Sequence, residues 1–337
     1  MTEARYYIKN KDRSLTCNLC PHSCIIKNNK EGICGVRKNI NGKLISRVYG
    51  IASAIHPDPI EKKPLYHFHP GSNILSLGSF GCNFKCNFCQ NHHISQARWT
   101  DIDTGLNLSP SEIGLRAQEQ EDNLGLAFTY NEPVIWFEYM LDTAKIIKEN
   151  GMKTVLISNG YIQKEPLEEL LPLIDAFNID IKAFEDKFYL SVTGGSITPV
   201  LESIKRISEA GKHIELTNLI ISGQNDKPEI FKDMIKWMVD NCGDKIVLHL
   251  SKYFPNYKSE IPTTPDKKLL DLYNIAREKI YFTYLGNTSL RAGRDTICPV
   301  CGKLLIERKY YRIKMAGLDS KGECSNCHYR LTSHFSF

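Results

Sequence analysis

Seven short apolar runs recur along the middle of the chain, separated by longer stretches of mixed polarity. Six of them read as buried strands: "NILSLGS" from Asn73, "LGLAFTY" from Leu124, "MKTVLISN" from Met152, "AFNIDIK" from Ala176, "HIELTNLII" from His213 and "KIVLHLS" from Lys245. "YFTYL" from Tyr281 adds a seventh, at an edge. The intervening stretches are amphipathic, and several open with helix-start chemistry: Ser109 before Pro110 with Glu112 three residues on, Thr198 before Pro199, Asp226 with Glu229 three residues on, and Thr264 before Pro265. Strands alternating with helices predict an α/β protein with a parallel sheet and right-handed crossovers, wound as an open partial barrel or a doubly wound sheet.

In either architecture the chemistry gathers at the carboxyl ends of the strands. "GSFGCNFKCNFCQN" follows the first strand and carries Cys82, Cys86 and Cys89. Later strand ends offer Glu132 in "TYNEP", Ser158 and Asn159 in "SNGY", Asp180 and Lys182 in "IDIK", "LTN" from Leu216, and His249 before "SKYFPNY". Each has a purely structural alternative. Glu132 can cap a helix starting at Pro133, Asp180 and Lys182 can form an ion pair, Ser158 and Asn159 can shape a turn, and His249 can be a hydrogen-bonded core histidine.

Composition narrows the chemistry. With 337 residues, 42% of them hydrophobic, the chain has room for one large core and one or two small appendages. No apolar run approaches the roughly 20 residues that cross a bilayer, and "MTEARYYIKNKDRS" lacks a secretory signal, so a cytoplasmic, non-membrane protein is expected. The net charge of +5 is scattered, without a basic run to follow a phosphate backbone, which disfavours nucleic acid. Twelve cysteines are many for a reducing compartment, and they point to metal rather than disulfides. Eleven fall in three clusters, leaving Cys242 as an inert packed thiol.

The clusters differ in spacing. Cys298, Cys301, Cys324 and Cys327 follow C-x2-C-x22-C-x2-C, the pattern of a zinc ribbon. Cys17, Cys20, Cys24 and Cys34 follow C-x2-C-x3-C-x9-C, which fits a four-thiolate zinc knot or an auxiliary iron–sulfur cluster equally well. The middle set stops at three. Structural zinc wants four closed ligands, whereas three thiolates can hold a four-iron cubane and leave one iron open. Gly81 and Asn83 suit a tight loop there, and Phe84 and Phe88 can shield sulfur from water.

C-x3-C-x2-C in the loop after the first strand of such a chain resembles the signature of radical S-adenosylmethionine enzymes. That resemblance implies a partial (β/α)6 barrel, a [4Fe-4S] cluster, S-adenosylmethionine bound at the open iron, and an electron donor of the ferredoxin or flavodoxin type. It also implies reductive cleavage of the cofactor to methionine and a 5′-deoxyadenosyl radical that abstracts hydrogen from a substrate. Phe88 fills the family's aromatic slot near adenine, and Asn91 matches an asparagine of the glycyl-radical-activating subgroup. Asn131-Glu132-Pro133 stands where the family has Gly-Gly-Glu. Both glycines are absent, so contact with the cofactor's amino group falls to Glu132 or a backbone carbonyl. Asp180 and Lys182 correspond to the subgroup's Asp-x-Lys strand, Ser158 and Asn159 can reach ribose or carboxylate, and His249 is a further cofactor or substrate contact.

Over almost its whole length the chain resembles the radical enzyme of the AmmeMemoRadiSam system, through "CNLCPHSC", "EGICGVR", "DPIEKKPLYHFHPGS", "GCNFKCNFCQN", "ISQ", "TYNEP", "LHLSKYFPNY" and "YLGN". That group is similar to pyruvate formate-lyase (glycyl-radical) activating enzymes, and the likeness implies AMMECR-like and Memo-like partners. The expected organisation is a four-cysteine module over 1–48, a radical barrel over 49–290 and a zinc-ribbon-like module over 291–337. Chain order leads us to expect the N-terminal cysteine module and "HPDPIEKKPLYHFHPG" over the barrel mouth, enclosing the substrate beside Tyr66, His67 or His249. The motifs name no substrate and no residue that acts on it.

Overall fold

The computed structural model describes residues 2–98, 105–332 and 334. Eight strands form its main sheet: β1 (Ala54–Pro59), β2 (Asn73–Gly78), β3 (Asn123–Phe128), β4 (Lys153–Ser158), β5 (Ala176–Asp180), β6 (His213–Ile220), β7 (Val247–Lys252) and β8 (Phe282–Gly286). They lie side by side in chain order. β2 to β8 are parallel, and β1 runs antiparallel to β2. The crossovers contain α1 (Pro110–Glu119), α2 (Phe137–Glu149), α3 (Lys164–Leu170), α4 (Thr198–Glu209), α5 (Pro228–Cys242) and α6 (Asp266–Arg277). An order that never reverses puts right-handed crossovers on one face, so the sheet is an open barrel and not doubly wound.

Side-chain alternation agrees with this. Leu75, Leu77, Leu126, Phe128, Leu156 and Phe177 point outward into the core shared with the helices. Their neighbours Ile74, Ala127, Val155 and Ala176 point inward, where they meet Ile60, Leu65 and Phe68.

Those last three residues overturn one expectation. β1 runs from Ala54, opposite Gly78, to Pro59, opposite Asn73, so the chain leaves it at the amino end of β2. The segment after it plugs the barrel floor, away from the cysteine triplet. Burial of Ile60, Leu65 and Phe68 drives this at about 1.5–3 kcal/mol each. The floor also supplies polar partners: Asn178 donates to the Pro64 carbonyl at 2.8 Å, and Glu215 accepts from the Tyr66 and His67 amides at 2.9 and 2.7 Å. The lysines do not reach for substrate either. Lys62 and Lys63 each sit 2.7 Å from Asp58. β1 is not among the strands read from sequence; it carries Pro57 and Pro59 as the edge strand of the sheet, where missing N–H groups cost little.

Only one of the four helix-start readings forms a side-chain cap. Ser109 and Glu112 make a reciprocal capping box on α1. Thr198 is already inside α4, Asp226 accepts from the Gly223 amide, and Thr264 donates to the Ile220 carbonyl.

Residues 2–46 form two small three-stranded sheets. Buried Arg37 holds Glu138 of α2 with contacts of 2.9 and 3.1 Å, and the Tyr6 ring meets Phe137 edge-on at 5.2 Å. At the other end, the strands Thr296–Ile297, Leu304–Lys309 and Arg312–Met315 dock against the floor plug. Arg308 lies 4.2 Å above the Tyr66 ring and donates to its carbonyl, while Thr332 donates to the His67 carbonyl at 2.6 Å. Among the described residues, no helix is long and apolar enough to cross a membrane.

Candidate cluster and cofactor site

The triplet loop leaves β2 at its carboxyl end and turns at Gly81, whose φ of +87° suits glycine. A Cβ there would meet the Cys34 carbonyl at 2.6 Å and Val36 at 2.8 Å, so two chain segments press together at this point. The loop is fastened throughout. Lys85 donates its amide to the Thr193 carbonyl at 2.7 Å, Asn87 accepts from the Lys258 amide at 2.9 Å, and Asn83 donates to the Tyr161 carbonyl at 2.8 Å. Cys82 accepts from the Phe84 amide at 3.3 Å, and Cys89 lies 3.2 Å from the Ser95 hydroxyl. Burial pushes the Cys86 thiol up to about 11 and raises Cys82 further. Thiolates in such surroundings need a metal to hold their charge.

Around this loop the fold gathers most of the residues expected from sequence. Glu132, buried between β3 and α2, accepts from the Val134 amide at 3.0 Å, the Ser158 hydroxyl at 2.8 Å and the Asn159 amide at 2.8 Å. It does cap the turn at Pro133, yet burial still pushes its carboxyl up to about 7. The Asn159 side chain donates to Asn83 at 2.8 Å and comes within 4.0 Å of the Cys82 sulfur. Lys182 pairs with Asp180 at 2.7 Å, and its ammonium is held above the usual lysine range, against burial, by Asp180 and Cys86. Phe88 is buried, with Phe188 and Tyr253 rings 6.3 and 6.5 Å away. Asn91 donates to the Tyr130 carbonyl at 2.6 Å.

His249 does not join them. Its Nε2 sits 2.6 Å from Glu215, and its ring lies against Tyr66 and Tyr284 in the floor network. Tyr66 and His67 are there too, so all three expected substrate contacts belong to the opposite end of the interior. Sequence reasoning missed Tyr130. Its φ of +71° is a strained value for tyrosine, and its hydroxyl donates to Asp58 at 2.6 Å, tying β1 to the mouth. The polar pattern of "TYNEP" gave no separate signal for it.

The two outer cysteine sets differ in shape. Among the described residues, one group of three or more metal-ligating side chains has all its ligand atoms within 4.8 Å of one another: Cys298, Cys301, Cys324 and Cys327. Its cross pairs lie 3.5 Å apart. Tetrahedral zinc at about 2.3 Å from each sulfur spaces its thiolates by about 3.8 Å, so this set could close on one ion. Neither the triplet nor Cys17, Cys20, Cys24 and Cys34 reaches that closeness. Cys242 is a partly buried thiol pushed up to about 11 by burial.

A parallel α/β barrel with three cysteines in its first strand-to-helix loop defines a class of iron–sulfur enzymes, and comparison with known proteins narrows it. Residues 77–238 match the family described as the Radical SAM superfamily. An uncharacterized protein of Methanocaldococcus jannaschii is 41% identical over 339 residues, covering 97% of this chain and 98% of that protein. A second protein of that organism, provisionally named a glycyl-radical enzyme activating enzyme, is 27% identical over 225 residues, or 65% of this chain and 80% of that one. The crystal structure of a radical SAM methyltransferase from Sphaerobacter thermophilus shares the fold at a TM-score of 0.52 and 14% identity, over 65% of this chain and 67% of that one. The chain belongs to the radical SAM superfamily and is an enzyme.

The residues present fit the groups that the superfamily implies. Three cysteine sulfurs on one loop, less closely gathered than the C-terminal four, suit a cubane with one iron left open. Beside them stand a carboxylate bonded only by neutral donors and an ion pair facing the same end of the barrel.

Proposed function

We propose that this enzyme abstracts a hydrogen atom from a polypeptide substrate, as a glycyl-radical enzyme activating enzyme does. Cys82, Cys86 and Cys89 hold the cluster, and Glu132 accepts from the cofactor's ammonium. Lys182, positioned by Asp180, meets its carboxylate. Ser158 and Asn159 fix Glu132 and stand beside the ribose, and Phe88 walls the adenine from water. Bound together, the cluster and S-adenosylmethionine supply one-electron cleavage of the sulfonium to a carbon radical.

The observation that carries the polypeptide reading is the position of residues 60–72. They fill the floor, so the expected cover over the mouth is not formed by them. The rim beside the triplet instead carries aromatic surface: Tyr257 stacks on His92 at 4.5 Å, and Phe254 is 44% exposed. Such a rim suits a protein loop better than a small polar metabolite. The same reading includes a cytoplasmic location, a ferredoxin- or flavodoxin-type donor, AMMECR-like and Memo-like partners, zinc in the C-terminal cysteine set, and division of the chain near residues 48 and 290.

Incubating the reduced enzyme with S-adenosylmethionine and glycine-deuterated cell protein tests it. Deuterium should appear in 5′-deoxyadenosine together with a stable glycyl radical signal. Unlabelled 5′-deoxyadenosine, formed in step with a small-molecule product, returns the enzyme to the enclosed-substrate reading.

A further inference from the structure

The first cysteine set has no role in that reading, yet it surrounds a built cavity. Cys17, Cys20, Cys24 and Cys34 line it with His22, Arg37 and Asn83. Unlike the C-terminal four, these sulfurs are not gathered within 4.8 Å of one another, and in this they resemble the triplet. A cubane explains the spread, because each thiolate sits on its own iron at a separate corner. Arg37 supplies a second, independent sign. It is 1% exposed and spends its terminal nitrogens on Glu138 and the Arg5 carbonyl, but its Nε has no partner. A buried N–H without an acceptor is destabilising, and a cluster sulfur in this cavity would supply one.

The cavity also touches the triplet loop. His22 Nε2 lies 2.7 Å from the Asn83 carbonyl, the Cys34 carbonyl presses on Gly81, and Asn83 lines the cavity while following Cys82 directly. The contacts at Gly81 and Asn83, the two residues flanking Cys82, bring the two thiol sets side by side. We propose that Cys17, Cys20, Cys24 and Cys34 bind a second four-iron cluster, closed to substrate by its four protein ligands, which passes electrons to the cluster of the triplet. One electron enters from a ferredoxin- or flavodoxin-class donor and reduces this cluster. It then moves to the triplet's cluster, so that the first is oxidised as the second is reduced, with no proton or bond transferred.

Metal analysis of the full chain after anaerobic reconstitution tests the site. About eight irons with one zinc are expected per chain. A Cys82→Ala, Cys86→Ala, Cys89→Ala variant should keep about four irons, and a Cys20→Ser, Cys24→Ser variant should lose about four while its zinc is unchanged. About four irons with two zincs in the wild type, or an iron-free triplet variant, overturns the proposal, and neither depends on how the Cys20, Cys24 variant folds. For the contact, the fully reduced wild type should give an electron paramagnetic resonance spectrum broadened beyond the sum of the two variants' spectra. A simple sum refutes electron passage through Gly81 to Asn83.

Discussion

Two glutamates are buried in the same barrel, at opposite ends, and their partners differ. Glu215 at the floor accepts from the Tyr66 and His67 amides and from the imidazoles of His213 at 3.0 Å and His249 at 2.6 Å. Burial works against its charge, but the two histidines outweigh it and hold the carboxyl well below the usual range. Glu132 at the mouth is as deeply buried and has neutral donors alone, so burial wins and pushes it up to about 7. The floor is a finished network. The mouth is short of one positive charge, the charge that the proposed cofactor ammonium would supply.

Breaking the floor has the largest expected effect. Glu215→Leu strands four donors in the interior and should cost about 3–5 kcal/mol in urea unfolding. A loss under about 1 kcal/mol would show that the floor does not hold the barrel together.

The mouth should respond to pH in the opposite sense from an ordinary ion pair. Because the Glu132 carboxyl is raised from 4.5 to about 7 in the folded chain, it binds its proton more tightly there than when unfolded. Its contribution is fully present below about pH 4.5 and lost as pH rises through about 7, a change of about 3 kcal/mol in the chain without cofactor. Glu132→Gln cannot titrate. Its stability should match the wild type near pH 5 and exceed it increasingly toward pH 8, whereas a gap independent of pH would contradict the uncompensated charge. The same variant should bind S-adenosylmethionine about 10- to 100-fold more weakly at pH 8, read by equilibrium dialysis, since a charge-assisted bond is replaced by a neutral one. Unchanged affinity would remove Glu132 from the cofactor site.

What was legible in the sequence follows from how far each signal reaches along the chain. The strands and the triplet are local patterns, and all seven apolar runs and the cysteine loop fall where period and spacing put them. The floor is not local. Tyr66 meets Glu215 across 149 positions, and Arg37 meets Glu138 across 101, so neither pairing leaves a trace in any short window. A signal was nonetheless present. His213, Glu215 and Thr217 alternate with Ile214 and Leu216, and polar residues at period two on a buried strand share one face and must find partners in the interior. Asp226 and Thr264 misled for a different reason: a residue type suited to capping is equally suited to bonding a turn or a neighbouring carbonyl, and tertiary contacts decided.

His249 provides the smallest effect and the sharpest division between the two ends. It was read as a cofactor contact, but its Nε2 is engaged by Glu215 and its ring is enclosed by Tyr66 and Tyr284. In His249→Gln the side-chain amide can place an N–H near the vacated Nε2 position, so three of Glu215's four bonds stay and the fourth is partly restored. Unfolding free energy should fall by about 1 kcal/mol. Affinity for S-adenosylmethionine should stay within about twofold, because the bonds described for Glu215 and His249 involve none of Glu132, Asp180 and Lys182. Were the variant instead as stable as the wild type but several-fold weaker in cofactor binding, His249 would belong to the mouth and the division between a finished floor and an unbalanced mouth would fail.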